Sequence, residues 1–317
     1  MSAQQIVDSA EPSRTNPRID LSATDLNADS SARAAIGAFE VHMQREGFSE
    51  HTVKAFLSDL GILTQYLGAG TAIRNISTND LNHFIDWLAN ERGVPCNPKS
   101  LARRITTLKV FFGWLVESGA LHKDPAEAIV HKPVMTPLPI ILSDREIDAV
   151  LQVTQMLRRA EKPDTRPYLL FTLLLHTGIK KGECMSIVLN HIDTSNPEQP
   201  FLWIRYSNPR RRHKERKLRL PVWWLESLAE YQAQYEIQDT IFPCTARNLE
   251  YVLGNVADLS DVAKGISFEM LRWTCAVRDH REGMPDDQLR QKLGISKITW
   301  REVRLKILRL TSPIIAR

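Results

Sequence analysis

Two short stretches decide the fold of this chain: TGIKKGE at Thr177–Glu183 and MLRWT at Met270–Thr274. The first directly follows an almost unbroken apolar segment, residues 167–176. This composition predicts a buried helix that Gly178 ends, because glycine readily adopts the left-handed conformation that closes a helix. A second helix is predicted to begin near Lys180. Lys180, the first basic residue of this stretch, is therefore predicted to lie between two helices.

The sequence around these stretches predicts a helical region with a small sheet. Segments 200–206 and 214–220 flank a basic run and have the pattern of two strands of a hairpin. Ser143 and Glu146 have the spacing of a capping box at a helix start. Further helices are predicted at 223–237, 247–259, 267–281, 286–293 and 298–310.

The N-terminal part of the chain has the periodicity of a small all-α bundle. Apolar residues recur at helical spacing between Ala34 and residue 117, and Phe111, Phe112 and Trp114 are predicted to lie in the core. Residues 1–33 are rich in Ser, Ala, Asp and Asn, which predicts a disordered arm. Three prolines in residues 131–142 predict a linker. The expected domains are therefore residues 34–130 and 143–317.

Length and composition are those of a soluble protein of two domains. The chain has 317 residues, 43% of them hydrophobic, and contains neither an apolar run of membrane-spanning length nor a secretory signal at its start. We expect it in the cytoplasm, associated with the nucleoid. The four cysteines are widely scattered, so we expect four buried, reduced thiols, and we expect no disulfide framework, no metal site and no cofactor. They are Cys96, Cys184, Cys244 and Cys275.

The charge distribution indicates a polyanionic partner. Lys and Arg number 41 against 37 Asp and Glu, a net charge of only +4. Residues 210–219 nevertheless read RRRHKERKLR, and residues 290–317 are also strongly basic. Positive charge concentrated in one half of a nearly balanced chain is typical of nucleic-acid binding, although a solvated charged loop has the same composition. We expect double-stranded DNA as the partner.

Four motifs in a fixed order resemble the tyrosine recombinase (phage integrase) family. They are TGIKKGE, the basic hairpin that ends before Leu220-Pro221, MLRWT, and Leu293-Gly294. The resemblance covers roughly residues 34–310. It implies a mainly α fold with a small antiparallel β-sheet, arranged as a two-domain C-shaped clamp around duplex DNA. In that arrangement residues 34–130 are the helical core-binding (SAM-like) domain and residues 143–317 are the integrase-like domain of the catalytic fold.

The resemblance also implies where the catalytic residues of the family fall. Active members use two arginines, a lysine and two His-like residues to stabilise the phosphate and protonate the leaving group, and a tyrosine as nucleophile. The first arginine aligns with Lys180, which keeps the charge but lacks the planar fork of a guanidinium. The hairpin lysine aligns near Arg211 or Lys214. The remaining slots fall on Glu269, Arg272, Trp273 and Ile295, and the nucleophile slot falls near Arg304.

The nucleophile of the family is missing from its expected place. The last tyrosine is Tyr251, so residues 252–317 contain none. Ser296 and Thr299 have no evident base beside them, and an unactivated hydroxyl is a poor nucleophile. We therefore expect no confidently catalytic residue, and a site-specific DNA-binding pseudo-recombinase that serves as an accessory or regulatory subunit in DNA integration or recombination, as on a mobile element. DNA contacts are predicted for Lys99, Arg103, Lys180, Arg210, Arg211, Arg212, Lys214, Arg216, Arg272, Lys297 and Arg301.

Several alternatives remain open at this stage. The chain could be an active recombinase with a non-tyrosine or partner-supplied nucleophile. It could also be a helix-turn-helix transcriptional regulator in which Lys297, Trp300, Arg301 and Arg304 face the DNA groove. Lys180 and Arg272 could instead form structural ion pairs with Glu183 or Glu269.

The C-terminal residues form an apolar tail whose packing the sequence leaves open. It could mediate self-association or partnership with an active recombinase, or it could pack on its own domain. Its apolar residues are Leu305, Ile307, Leu308, Leu310, Ile314 and Ile315.

Overall fold

The structure, a computed structural model, describes residues 26–94, 96–129 and 137–312. The chain divides into two compact units between Thr136 and Pro137. Residues 137–142, the described part of the expected linker, contain neither helix nor strand, and residues 131–136 lie outside the described residues.

The described part of the first unit contains four α-helices, and each begins at a residue whose side chain suits a helix start. Ser31, Ser49, Ser77 and Asn97 each accept a hydrogen bond from a backbone N–H of the first turn. The helices are α1 (Ala32–Arg45), α2 (Glu50–Leu67), α3 (Thr78–Asn90) and α4 (Pro98–Glu117).

The core of the first unit is aromatic. Phe111 and Phe112 are fully buried and Trp114 is 6% exposed, which confirms the predicted core face of α4. The folded part begins earlier than the expected boundary at Ala34, because α1 starts at Ala32 and Leu26 is packed in the core. Residues 26–33 therefore differ from the expected disordered arm; residues 1–25 lie outside the described residues.

The second unit is mainly helical with one antiparallel sheet in the order β1-β2-β3. The two predicted strands are confirmed, each shorter than expected, whereas the two-residue β1 was not predicted because it is too short to show alternation. The elements are α5 (Asp144–Arg158), α6 (Arg166–Thr177), α7 (Lys181–Cys184), β1 (Ile192–Asp193), β2 (Phe201–Ile204), β3 (Arg216–Arg219), α8 (Val222–Tyr235), α9 (Ala246–Leu259), α10 (Phe268–Arg281), α11 (Asp286–Leu293) and α12 (Lys297–Thr311).

Helix α6 is the centre of the second unit. Ten of its twelve residues are buried, and it packs against α5, α8, α9 and α10. Gly178 ends it with φ at +58°, and a Cβ at this position would lie 3.1 Å from Sγ of Cys275 on α10. Glycine is therefore required both by the backbone and by the close approach of α10. Neither α6 nor any other helix in the described ranges is long and apolar enough to cross a membrane.

Helices α10, α11 and α12 share a smaller apolar cluster. Trp300 is only 9% exposed and lies in this cluster, so it does not face a DNA groove as the helix-turn-helix alternative requires. Ile307 of the apolar tail is fully buried in the same cluster, while Leu305 is exposed. Ile314 and Ile315 lie outside the described residues. The described part of the tail is thus anchored to its own domain at Ile307.

The cysteines correct one further expectation. Cys184 and Cys275 are buried, but Cys96 and Cys244 are only half-buried. All four are free thiols.

Candidate functional site

Five of the seven aligned catalytic slots meet at one cavity of about 580 Å³. Lys180 precedes α7, Glu269, Arg272 and Trp273 come from α10, and Ile295 lies in the turn between α11 and α12. The hairpin slot near Arg211 or Lys214 does not line this cavity, and neither does Arg304, although its neighbour Val303 does. Arg304 instead pairs with Asp286 at the start of α11.

This cavity, which we call the slot cavity, is lined by both apolar and charged residues. Its apolar residues are Phe268, Trp273, Ala276, Leu293, Ile295 and Val303. A tryptophan can donate one N–H and an isoleucine has no polar atom, so neither can transfer a proton. The acidic residues of the slot cavity are Glu250, which pairs with Lys181 at 2.8 Å, and the exposed Glu269. Its cations are Lys180, Lys181 and Arg272, and no histidine is among its lining residues.

The guanidinium of Arg272 is engaged by backbone carbonyls. Its Nη1 donates to the carbonyl of Gly178, and its Nη2 donates to the carbonyl of Leu293. These bonds tie the end of α6 to the end of α11. The expected ion pair of Arg272 with Glu183 or Glu269 is therefore replaced by bonds to the main chain, and part of the fork that would grip a phosphate is already used.

Lys180 is a second cation of the slot cavity, and its side chain is half-buried. Its side chain is 42% exposed, and its Nζ lies 4.0 Å from Oε1 of Glu183 and 3.4 Å from the carbonyl oxygen of Gly294. Burial lowers the pKa of Lys180, Glu183 opposes that shift, and the positive charge of Arg272 adds to it. The predicted pairing of Lys180 with Glu183 is present only at this longer distance.

Glu183 is the buried centre of the site, with 3% of its side chain exposed. Its carboxylate accepts bonds from Nη1 and Nη2 of Arg216 at 3.1 and 2.9 Å, from the backbone N–H of Lys180 at 2.9 Å, and from the hydroxyl of Tyr206. Burial raises the pKa of Glu183, but Arg216 and the other donors outweigh burial and lower it to about 2. Glu183 is thus ionised and fully engaged.

Arg216 was predicted to contact DNA, but it is buried. Only 8% of its side chain is exposed, its Nε donates to the carbonyl of Lys292 at 2.7 Å, and its Nη1 also donates to the carbonyl of Lys214. A Cβ added at Gly294 would lie 2.6 Å from Nη1 of Arg216, so the two residues are in close contact. Arg216 is therefore the structural partner of Glu183, a role that the sequence analysis assigned to Lys180 or Arg272.

The cations between β2 and β3 are presented to solvent. Residues 210–214, which we call the basic turn, belong to a 3-10 helix, Pro209–Lys214, that Asn208 caps. Arg210, Arg211 and Arg212 are exposed and Lys214 is half-buried. The run expected to lie between two strands therefore has a defined backbone conformation of its own.

The remaining predicted DNA contacts differ in their surroundings. Lys99 on α4 and Lys297 and Arg301 on α12 are exposed. Arg103 pairs with the buried carboxylate of Asp59 on α2, although 42% of its side chain is exposed. Arg103 therefore also has a structural role within the first unit.

Sequence comparison finds relatives among tyrosine recombinases. Residues 36–119 match the family described as phage integrase, N-terminal SAM-like domain. A tyrosine recombinase XerC of Mycobacterium leprae (strain TN) is 32% identical over 167 residues, which cover 51% of this chain and 54% of that protein. The chain spans about half the length of this relative and of a second mycobacterial XerC. A XerC of Pediococcus pentosaceus is 22% identical over 81% of this chain and 87% of its own length.

Solved structures share the fold. A lambda integrase dimer bound to a COC′ core site matches with a TM-score of 0.69 at 15% identity, covering 92% of this chain and 82% of that chain. The Tn1549 transposon integrase in complex with transposon right end DNA matches with a TM-score of 0.67 at 15% identity, covering 89% and 100%. The chain is thus similar in sequence to tyrosine recombinases, and the solved integrases share its fold.

Proposed function

We propose that this protein is a member of the superfamily that binds duplex DNA at specific sites without cutting it, and that it acts as an accessory or regulatory subunit in DNA integration or recombination. The observation that carries the proposal is the slot cavity. Its aligned positions are occupied by Lys180, Glu269, Trp273 and Ile295, and Arg272 beside them is bonded to main-chain carbonyls. A phosphate could still meet positive charge there, but no histidine stands at these positions to transfer a proton.

Two of the tyrosines, Tyr206 and Tyr251, have hydrogen-bond partners of their own. Among the described tyrosines, Tyr206 is the one hydrogen-bonded to Glu183. Burial raises the pKa of Tyr206, and so does its bond to the Glu183 carboxylate, so its hydroxyl is held in the protonated form. Tyr251 lies exposed on α9, where it accepts a bond from Arg247.

DNA binding is supported by the exposed cations. The basic turn presents three exposed arginines on a defined backbone, and Lys180 adds an accessible charge at the slot cavity. The solved structures that share the fold include a lambda integrase dimer bound to a core site and the Tn1549 transposon integrase in complex with transposon right end DNA. Each cation that contacts a phosphate makes the affinity fall with salt, since bound counterions are released.

Salt-dependent binding tests this proposal. Fluorescence anisotropy of a labelled duplex is measured at several salt concentrations for the wild type and for Arg211→Ala/Arg212→Ala. We expect binding at low salt, with a slope of log K against log salt that is reduced by about two in the variant. An unchanged slope would remove the basic turn from the interface, and no binding by the wild type at low salt would overturn the proposal.

A second candidate, a helix-turn-helix reader, is favoured by the turn between α11 and α12. Gly294 has φ at +58°, and Lys297 and Arg301 are exposed beyond it. Under this reading Arg301→Ala would relax sequence preference at one base position rather than weaken binding to all sequences equally. Competition with a set of single-base variants of the bound site distinguishes the two roles.

A further inference from the structure

The residues that flank the basic turn on its two sides are hydrogen-bonded to the same carboxylate, that of Glu183. Tyr206 follows β2 two residues beyond its end and donates its hydroxyl to Oε1 of Glu183. Arg216 is the first residue of β3 and donates to both carboxylate oxygens at 3.1 and 2.9 Å. The segment that carries the basic turn is therefore hydrogen-bonded to Glu183 on both sides of the turn, through Tyr206 before it and Arg216 after it.

A second contact closes the base of this segment. The backbone N–H of Tyr206 donates to Oε1 of Glu215 at 3.0 Å, so the residues on either side of the turn are also joined directly. Glu183 is itself fixed at the start of α7, where it accepts the N–H of Lys180. The turn is thus attached to a helix of the domain and not only to its neighbouring strand.

Arg216 extends the attachment to α11. Its Nε donates to the carbonyl of Lys292 at 2.7 Å, and its guanidinium lies against Gly294 at the end of that helix. The guanidinium fork that position 180 lacks is therefore present beside the slot cavity, but it comes from β3 and its donors point to protein acceptors. A lysine at 216 could keep the charge without forming this set of bonds, since its ammonium is a single point donor.

We propose that Tyr206 and Arg216 are positioning residues for DNA binding, which act through Glu183 to hold the basic turn in the geometry that places its arginines on phosphates. This inference rests on the proposed function. An attached turn has lost its conformational freedom before DNA arrives, so less of the contact free energy is used to order it on binding. A detached turn keeps its charges but contacts fewer phosphates at the same time.

The test measures how much the turn arginines contribute in three backgrounds. Arg211→Ala/Arg212→Ala is introduced into the wild type, into Tyr206→Phe and into Arg216→Lys, and the salt slope of duplex binding is recorded for each by anisotropy. Two control backgrounds are matched in chemistry. Tyr235→Phe removes another tyrosine hydroxyl that donates to a carboxylate, that of Asp164, and Arg158→Lys alters another arginine that donates to both oxygens of a glutamate, Glu230.

We expect the arginine substitutions to reduce the slope by about two in the wild type and in both control backgrounds. In Tyr206→Phe and Arg216→Lys the same substitutions should reduce the slope by less than one, because the detached turn no longer contributes its contacts. Thermal unfolding of each background identifies the temperature at which all are folded. If Arg216→Lys does not fold, the comparison is made in Tyr206→Phe alone, which removes a single hydroxyl.

The outcomes separate the two proposals. If the wild type binds DNA and the arginines contribute equally in all backgrounds, the positioning role is refuted while DNA binding stands. A merely structural role for the Glu183 contacts gives this same result, a lower unfolding temperature with an unchanged arginine contribution. If the wild type does not bind duplex DNA at low salt, the proposed function itself fails.

Discussion

Nη2 of Arg216 lies 2.9 Å from Oε2 of Glu183, and the two side chains are only 8% and 3% exposed. The pair is bidentate, and the remaining capacity of both groups is used by Tyr206, by the N–H of Lys180 and by the carbonyl of Lys292. Removing one partner of a buried pair typically destabilises a protein by about 3–5 kcal/mol, because the other charge is left without compensation. Loss of either partner is therefore expected to destabilise the region around the slot cavity.

The first prediction concerns the acid stability that Glu183 contributes. Its pKa is about 2 in the folded protein against an ordinary 4.5, so its contribution is complete above pH 4.5 and is lost as the pH falls towards 2. We expect Glu183→Gln to lower the free energy of unfolding at pH 7, and the difference from the wild type to shrink by on the order of 3 kcal/mol between pH 5 and pH 2.

Urea unfolding of both proteins across this pH range provides the measurement. Glu230→Gln is the matched control, because Glu230 also pairs with an arginine but its side chain is 49% exposed. We expect a much smaller change for the control, since exposed pairs contribute little. A constant difference between wild type and Glu183→Gln from pH 5 to pH 2 would contradict the assignment.

The second prediction uses the contact between Gly294 and Arg216. Gly294→Ala adds a Cβ within 2.6 Å of the Arg216 guanidinium at a backbone φ of +58°. Gly265→Ala meets a similar φ, +68°, with no atom within 4 Å of the added Cβ. We expect Gly294→Ala to lower the free energy of unfolding by about 1–3 kcal/mol more than Gly265→Ala, because overpacking is added to the backbone strain. Equal losses in denaturant unfolding would show that Arg216 does not lie against Gly294.

The third prediction concerns the burial of Trp300. Trp300→Ala removes a side chain that is 9% exposed in the cluster of α10, α11 and α12, and should destabilise the protein by about 3–5 kcal/mol. Ile298→Ala on the same helix removes a side chain that is 80% exposed and should change stability by less than about 0.5 kcal/mol. A stable Trp300→Ala variant with weakened DNA binding would instead restore the groove-facing role.

The fourth prediction concerns His176 at the end of α6. Burial lowers the pKa of His176 to about 4, and the charges of Arg278 and Lys292 add to this effect. Because the unfolded chain binds a proton at higher pH than the folded one, His176 decreases stability as the pH falls from 6.5 towards 4, by at most about 1.4 kcal/mol per pH unit. His176→Phe should flatten the pH profile of unfolding free energy in this window, and an unaltered profile would contradict the prediction.

The helices and the two main strands could be predicted because their signals are local. Ser143 and Glu146 form the capping box that their spacing indicates, and α4 and α11 have the predicted bounds. Apolar spacing placed Phe111 and Phe112 in the core for the same reason. The residues that define each of these features lie only a few positions apart in the chain, so their spacing can be read directly from the sequence.

The partners within the site could not be predicted, because they are chosen by tertiary packing. Glu183 pairs with Arg216, 33 positions along the chain, and the composition of the basic run does not distinguish this arginine from the exposed ones near it. The bonds of Arg272 to the carbonyls of Gly178 and Leu293 depend on where two helices end in space. The position of Arg216 at the start of β3 was the available signal, since alternation along the strand places it on the same face as the buried Leu218.

The central claim is that the protein holds duplex DNA without cutting it, and covalent trapping on a nicked suicide duplex tests it most directly. The labelled duplex is incubated with the protein, and one half of the sample is run on a native gel while the other half is denatured in detergent first. We predict a complex on the native gel that weakens with salt, and free DNA alone after denaturation. A detergent-resistant adduct, or the lack of any complex at low salt, would contradict the account.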